Sequence, residues 1–321
     1  MAQSYNTLPG LVQFNDKNLA DLEVSDLLQD APLLQVLSSV PASNGTLHNY
    51  LKQTTASSSA FRAANAGVAK TASADTLVTD TLKILDGSFK TDVALADAYK
   101  GGRGAWLQLE LMRTMKQVFS NVEKQIMYGV ANDAAGFAGL EDDGQLAQLS
   151  DAMVIGASGS NVATQTSCFL LRSGRDDVSF VLGNDGVIVV EDEPVIIQAT
   201  ADAAGLDAAE FYPALYVPVT GYSGFQIGGA YSAARICNIE CNALTSTSAF
   251  TDDLIYAALS LFPAGRQPNL IVMNRNALRL LRQSRTSVNA TGAPAPRPTE
   301  VEGIPIVVTD SILSTEAVEA D

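Results

Sequence analysis

The sequence is short of charge, of histidine and of cysteine. Charged residues fill 17% of its 321 positions, against ~25% in ordinary soluble domains. Its single histidine, His48, sits in a stretch that alternates like a strand rather than in a glycine-bounded turn; it reads as a surface residue, not a general base. The three cysteines, Cys168, Cys237 and Cys241, are an odd number without framework spacing, which excludes a disulfide scaffold and predicts inert thiols in a reducing compartment. No further Cys or His stands near Cys237 and Cys241 to complete a structural zinc site. Also missing are a G-x-S-x-G elbow, a G-x-x-x-x-G-K-[ST] phosphate loop, a G-x-G-x-x-G fingerprint and an H-E-x-x-H helix. The longest apolar stretch, Ile255 to Phe262, is too short to cross a bilayer, and Met1 to Gly10 lacks the basic-then-apolar pattern of a signal peptide. The expectation is a soluble protein made in the cytosol, with no membrane partner, that is not an enzyme and takes no cofactor or metal.

What is present is acidic charge, arranged in blocks. Acidic residues number 35 and basic residues 20, a formal charge of −15 that disfavours sequence-independent binding of nucleic acid. Residues 46–140 carry ten basic and eight acidic side chains, whereas residues 141–231 carry thirteen acids against Arg172 and Arg175 alone. Residues 254–299 hold six arginines and no acid, and residues 300–321 hold six acids and no base. In a self-associating protein, such blocks let a basic patch on one subunit meet an acidic patch on the next. Two runs of adjacent acids, Glu141-Asp142-Asp143-Gly144 and Glu191-Asp192-Glu193, could hold Ca²⁺ or Mg²⁺, but they lack the alternating spacing of a dedicated loop and read as solvated turns. A globule of 33.7 kDa exposes roughly 12,700 Å². So little charge leaves two readings of that surface: a coat of neutral polar residues, or burial against other chains, whose interface cores are poor in charge.

Along the chain, Leu22, Val24, Leu27 and Leu28, then Leu33, Leu34, Val36 and Leu37, suggest two helical turns broken at Pro32. From Thr46 to Leu95 the pattern alternates, interrupted at Ser57-Ser58-Ser59 and Asn65-Ala66-Gly67, which reads as a long two-stranded excursion with a small polar tip. Such an arm has little apolar side chain of its own to fold upon. Met112, Met115, Phe119, Val122 and Ile126 recur at spacings of three and four, so residues 103–130 form one amphipathic helix, ~40 Å long. Its methionines are core packing. Strands are expected at 167–171, 178–182, 187–190, 195–199, 215–219, 224–227 and 233–239, divided by turn residues. Then comes a helix from Thr251, its N-cap, to Phe262, a strand at 270–273, and a helix from Asn274 with Arg275, Arg279, Arg282 and Arg285 on one face. That face could bind phosphate, but in this acidic background an acidic protein surface is the better match. A final strand covers 304–309.

Several short motifs occur in a recognisable order. Phe61-Arg62-Ala63-Ala64-Asn65-Ala66-Gly67-Val68, then Thr81-Leu82-Lys83-Ile84-Leu85-Asp86-Gly87 with Asp92, resemble the extended-loop region of tailed-bacteriophage major capsid proteins. Gly136-Phe137-Ala138-Gly139-Leu140, Phe169 to Asp176, Ala234 to Ile239 and Glu302 to Asp310 resemble later signatures of that family. The resemblance spans about residues 50–310, with Ser173 standing where many relatives carry an aromatic residue.

The resemblance implies an α+β chain of the Hong Kong 97-type capsid fold. Its expected parts are an N-terminal arm at 1–45, an extended loop at 46–95, a peripheral domain at 96–165 with a spine helix at 103–130, a β-rich peripheral and axial region at 166–300, and a closing strand with an acidic tail at 301–321. Because the strands precede the helix–strand–helix unit, the order is read as a permuted topology of that fold. The implied function is structural: hexamers and pentamers of an icosahedral virion shell that encloses double-stranded DNA without specific binding, assembled in the host bacterial cytoplasm. Implied partners are further copies of the chain, a portal protein, a separate scaffolding protein and a decoration or cement protein. Inter-subunit candidates are Arg62, Lys70, Arg275, Arg279, Arg282, Arg285, Glu191, Asp192 and Glu193. Lys52 and Lys70 lie in the loop where some relatives crosslink, but no acidic catalytic partner is identifiable, so an uncrosslinked shell is expected. An encapsulin-like compartment and a carboxylate metal-binding enzyme are the alternatives.

Overall fold

The computed structural model describes residues 31–55, 57–68, 72–99, 102–183, 188–190, 194–200, 211–242, 250–289 and 293–320. The apolar turn read at Leu22 to Leu28 lies outside them. Helix α1 (Pro32–Val36) begins on Pro32, where a missing N–H costs nothing, so the proline starts a helical turn. Strand β1 (Ser39–Pro41) follows.

The expected excursion is a two-stranded antiparallel ribbon of β2 (Leu47–Thr55) and β3 (Ala74–Thr81), in register from Leu47 opposite Thr81 to Gln53 opposite Asp75. The chain then enters the body through β4 (Lys83–Asp86) and β5 (Phe89–Asp92), which pair with body strands rather than with the ribbon. Leu82 marks the change. It is buried between Gly183 and Gly224, where an added Cβ would stand 2.7 and 2.5 Å from its methyl carbons.

After α2 (Val93–Ala98), capped by Asp92, the periodic stretch forms the long helix α3 (Gly102–Tyr128). Leu107, Leu111, Met115 and Phe119 pack on Leu215, Val217 and Val219, while Val122, Ile126 and Met127 join the larger core with Phe137, Leu140, Phe180 and Phe225. The helix end is closed by the Gly136–Leu140 motif folding back on it: the Leu140 N–H donates to the Ile126 carbonyl (2.8 Å) and the Glu141 N–H to that of Met127 (3.1 Å). Glycine is required at 139, since a Cβ there would lie 2.5 Å from the backbone nitrogen of Gly129.

The remaining strands are β6 (Val154–Gly156), β7 (Gln165–Leu171), β8 (Val178–Leu182), β9 (Val189–Val190), β10 (Val195–Thr200), β11 (Phe211–Val217), β12 (Val219–Ile227) and β13 (Ala233–Glu240). Helix α4 (Asp252–Ser260), β14 (Leu270–Met273), α5 (Arg275–Val288), β15 (Glu300–Val301) and β16 (Ile304–Val308) complete the chain. Two of the expected strands are pieces of longer ones: 215–219 straddles β11 and β12, and 224–227 is the end of β12. Thr251 occupies the N-cap of α4 with extended backbone, but its side chain makes no capping bond; Asn274 does cap α5, accepting from the Asn276 N–H at 2.9 Å.

Among the described residues there are three sheets besides the ribbon. One runs β1-β8-β12-β4 with β9 also on β12, one runs β10-β11-β5, and the largest runs β15-β16-β14-β7-β13-β6. The largest sheet joins strands from distant parts of the chain: β6 at 154–156, β7 at 165–171, β13 at 233–240, β14 at 270–273, and β15 and β16 at 300–308. Strands β7 and β14 are buried throughout and read as continuous apolar or small-residue runs, as strands covered on both faces do.

Candidate inter-subunit surfaces

Among the described residues, the ribbon is held at its base. His48 is buried there, its Nε2 2.6 Å from Gln226 Oε1, which corrects the expectation of a surface histidine. The strand alternation that put His48 beside Tyr50 and Lys52 turns all three toward the body, where Lys52 reaches Asp143 at 3.9 Å. Burial and the neighbouring Asp80 push the Tyr50 phenol well above its usual range. Farther out, none of the described residues covers the ribbon. Leu51 is 68% exposed, Leu77 61% and Phe61 107%. The tip is shaped by Asn65 at φ 64°, with Arg62 Nη1 donating to the Ala66 carbonyl at 3.4 Å. Residues 56–73 contain Arg62 and Lys70 and no acid, so the tip is basic in an acidic chain; Lys70 itself lies outside the described residues.

At the edge of the three-stranded sheet, Val195, Ile196 and Phe211 stand exposed on β10 and β11. The acidic run Glu191, Asp192 and Glu193, just before β10, lies outside the described residues.

The arginine row on α5 divides. Arg275 is 76% exposed and pairs with Asp310 at 2.5 Å on the surface. The others bond within their own subunit: Arg279 Nη2 to the Cys241 carbonyl (2.6 Å), Arg282 Nε to the Ala295 carbonyl (2.9 Å), and Arg285 in a two-pronged pair with Asp252 (2.7 and 2.6 Å). The periodicity placed them on one face correctly but could not show that this face turns toward 241–252 and 295.

The strongest polar constellation escaped the sequence reading. Arg235 on β13 is only 1% exposed, yet it collects Glu141 (2.7 Å), Glu319 (3.1 Å) and Glu316 (3.7 Å), with Ser167 Oγ accepting from its Nε at 3.1 Å and Phe169 under its guanidinium at 5.7 Å. Glu316 also accepts from Tyr128 and Ser167, both at 2.6 Å. Burial raises the Glu141 carboxyl to about 7 against the pull of Arg235, and it raises Glu316 as well. The run at 141–143 is therefore no solvated turn. Glu141 closes this node, and Asp142 accepts from the Val130 and Gly139 N–H groups at 2.9 Å each. The signal available in the sequence was a lone arginine among apolar residues in Ala234 to Ile239. A second carboxylate, Asp177, joins Arg172 (2.7 Å), Arg266 (2.5 Å) and Ser232 (3.0 Å) where β7 turns into β8. At Ser173, the position that departs from the aromatic pattern, the hydroxyl accepts from the Ser38 N–H at 2.8 Å. All three cysteines are buried free thiols, raised above their usual range by burial.

These features describe a scaffold whose polar chemistry serves folding and whose exposed apolar groups sit on protrusions and edges. Solved structures show the fold. The bacteriophage Epsilon15 structure superposes with a TM-score of 0.65 over 100% of both chains at 22% identity, and the bacteriophage JBD30 capsid with a TM-score of 0.52 over 94% of this chain and 98% of that one at 11% identity. The α+β fold is thus the Hong Kong 97-type capsid fold. The family described as major capsid protein GP7 matches residues 16–319, and the chain belongs to that family. No curated protein matches it in sequence. It is a structural protein of the virion capsid that assembles into a multimeric shell, and not an enzyme.

Proposed function

We propose that the shell is icosahedral, built of hexamers and pentamers that each subunit clamps by laying its β2–β3 ribbon over a neighbour. The observation that carries this is the wholly exposed Phe61 at the end of a ribbon with no core of its own. A two-stranded ribbon alone in water is marginal at best, so its apolar tip has a use only against another surface. The receiving surface we assign is the edge at Val195, Ile196 and Phe211, where the neighbouring run Glu191, Asp192 and Glu193 offers charge to Arg62 and Lys70. A contact of ordinary size covers ~800 Å² on each partner, so contacts with six or so neighbours account for surface that the sparse charge leaves bare. Of the α5 arginines, exposed Arg275 is the inter-subunit candidate; Arg279, Arg282 and Arg285 serve that role only by holding α5 in place.

The finer assignments follow the same reading. The chain divides into an N-terminal arm at 1–45, an extended loop at 46–95, a peripheral domain at 96–165, a β-rich peripheral and axial region at 166–300, and a closing strand with an acidic tail at 301–321, in a permuted order. Double-stranded DNA is enclosed without specific binding, and the portal, a separate scaffolding protein and a decoration protein complete a particle made in the host cytoplasm. Electron microscopy of the protein co-expressed with candidate scaffolds tests the shell. Closed icosahedral particles are the expected result, and helical tubes or monodisperse monomers in every co-expression overturn it.

A further inference from the structure

Beyond β16 the chain leaves the sheet and runs along the body as a strap whose two halves are fastened differently. Residues 309–313 are held by neutral groups: the Thr309 N–H donates to the Met273 carbonyl (3.0 Å) and the Leu313 N–H to the Tyr128 hydroxyl (2.7 Å), with Ile312 fully buried. Residues 314–320 bury no apolar side chain, and Glu316 is the one buried residue among them. Their backbone is tied by the Glu316 N–H to the Gln165 carbonyl (3.0 Å), by a two-way pair between Glu319 and the Asn238 side chain (2.8 and 3.0 Å), and by a longer bond from the Leu149 N–H to the Ala320 carbonyl (3.4 Å). What else fastens this half is its two carboxylates, Glu316 and Glu319 on Arg235, with Tyr128 and Ser167 also donating to Glu316. A segment with so little buried apolar surface can open without the rest of the fold.

The fastening has a surplus of carboxylate. Glu141, at 2.7 Å, lies nearer to Arg235 than either strap acid does. Three ionised carboxylates against one guanidinium would leave two uncompensated negative charges around a side chain that is 1% exposed, so the cluster retains a proton. Among the described residues, the titratable groups beside it bring no positive charge. The Tyr128 phenol of α3 and the Cys237 and Cys241 thiols are held neutral by burial, and Asp142 adds a negative charge next to Glu141. When the proton is lost, the backbone at Glu141 has no room to retreat: its N–H is bonded to the Met127 carbonyl and Asp142 holds two further N–H groups. The strap has that room.

We infer that residues 314–320 are a proton-gated strap, closed over Arg235 while the cluster of Glu141, Glu316 and Glu319 holds a proton and opening more often once the proton is gone. Because burial raises the Glu141 carboxyl, opening is favoured as pH climbs through about 7. The test is residue-resolved amide exchange on the unassembled full-length chain, each rate divided by that of the free peptide at the same pH. The Glu316 and Glu319 amides should be far less protected than those of β7 and β13, and their protection should drop roughly tenfold between about pH 6 and about pH 8.5. E141Q should abolish the drop while leaving the strap at least as protected as wild type at the higher pH; E319Q, which removes surplus charge from the strap side, should flatten the profile as well. Strap amides as slow as those of β7 would mean that the strap opens only with the whole fold, and protection unchanged with pH would mean that the Glu141 side chain turns outward in place of the strap. Either result overturns the gating, as does a drop that persists in E141Q.

Discussion

The central strands β7 and β13 of the six-stranded sheet and the strands of the β2–β3 ribbon are similar in length and meet opposite fates. In the sheet, β7, β13 and β14 are buried along nearly their whole length, and even its arginine finds three carboxylates and a serine inside the same chain. In the ribbon, the residues from Leu47 to Gln53 each have a cross-strand neighbour and, beyond the base, no third layer among the described residues; Leu51, Leu77 and Phe61 face solvent. One region is closed against the outside and the other left open toward it. A fold that must be stable as a subunit and still need its neighbours keeps these two demands in separate places. A mutation in the first region should be felt by the isolated subunit and one in the second only by the assembly.

The harshest test of the closed region is Arg235→Met. It leaves Glu141, Glu316 and Glu319 without their counter-charge and should cost about 3–5 kcal/mol, seen as insoluble subunit or a collapsed urea midpoint. Adding E141Q, E316Q and E319Q to the same chain should recover much of that loss, because neutral amides no longer demand the charge. If R235M alone unfolds at the wild-type midpoint, the node is ornamental and the contrast between the regions fails.

A gentler probe is pH. The Glu141 carboxyl sits near 7, above its usual value, so the folded subunit holds a proton there that the unfolded chain releases. Its contribution is complete below the ordinary carboxylate range and is lost as pH rises through about 7. Between mildly acidic and mildly alkaline buffer, the unassembled subunit should lose on the order of 2 kcal/mol, and E141Q should flatten the profile. A wild-type profile already flat across neutrality would remove the proton from the account.

Smaller still is the difference within α5. Arg285→Gln breaks a half-buried two-pronged pair with Asp252 and should cost the subunit about 1 kcal/mol. Arg275→Glu, on an exposed surface pair, should leave the urea midpoint unmoved while reducing particle yield. Equal loss of subunit stability in both would mean that the row acts as one structural face.

What the residues themselves disclosed divides along the same line. The long helix, the ribbon and the helix–strand–helix unit were legible because each carries its own period, as in the three-four spacing from Met115 to Ile126, with Met112 left exposed, or the alternation at His48, Tyr50 and Lys52. Where contacts join residues far apart in sequence, period says nothing. Arg235 meets acids near 141 and 316 that look solvated when read alone, and His48 looked exposed because Gln226 is 178 residues away. The arginines of α5 were placed on the right face, but which face meets the body is decided by 241–252 and 295. Beyond its base the ribbon was readable for the opposite reason: its pattern is carried by pairing between two nearby segments, β2 and β3.

The smallest expected effect on the subunit carries the largest consequence for the shell. Phe61→Ser removes an aromatic ring that is fully exposed on its own subunit, so the denaturation midpoint should stay within about 0.5 kcal/mol of wild type. In the assembly, the same ring should be an anchor at the centre of a contact repeated at every subunit, where losing a buried aromatic group costs about 2 kcal/mol or more per copy. Repetition multiplies that loss, so particles should vanish from sedimentation profiles while soluble subunit accumulates. Phe61→Leu, still apolar, should restore a fraction of them. Normal shells from F61S would show that the open tip is not what holds neighbours. An unstable F61S subunit would show that the ribbon is part of the closed region after all.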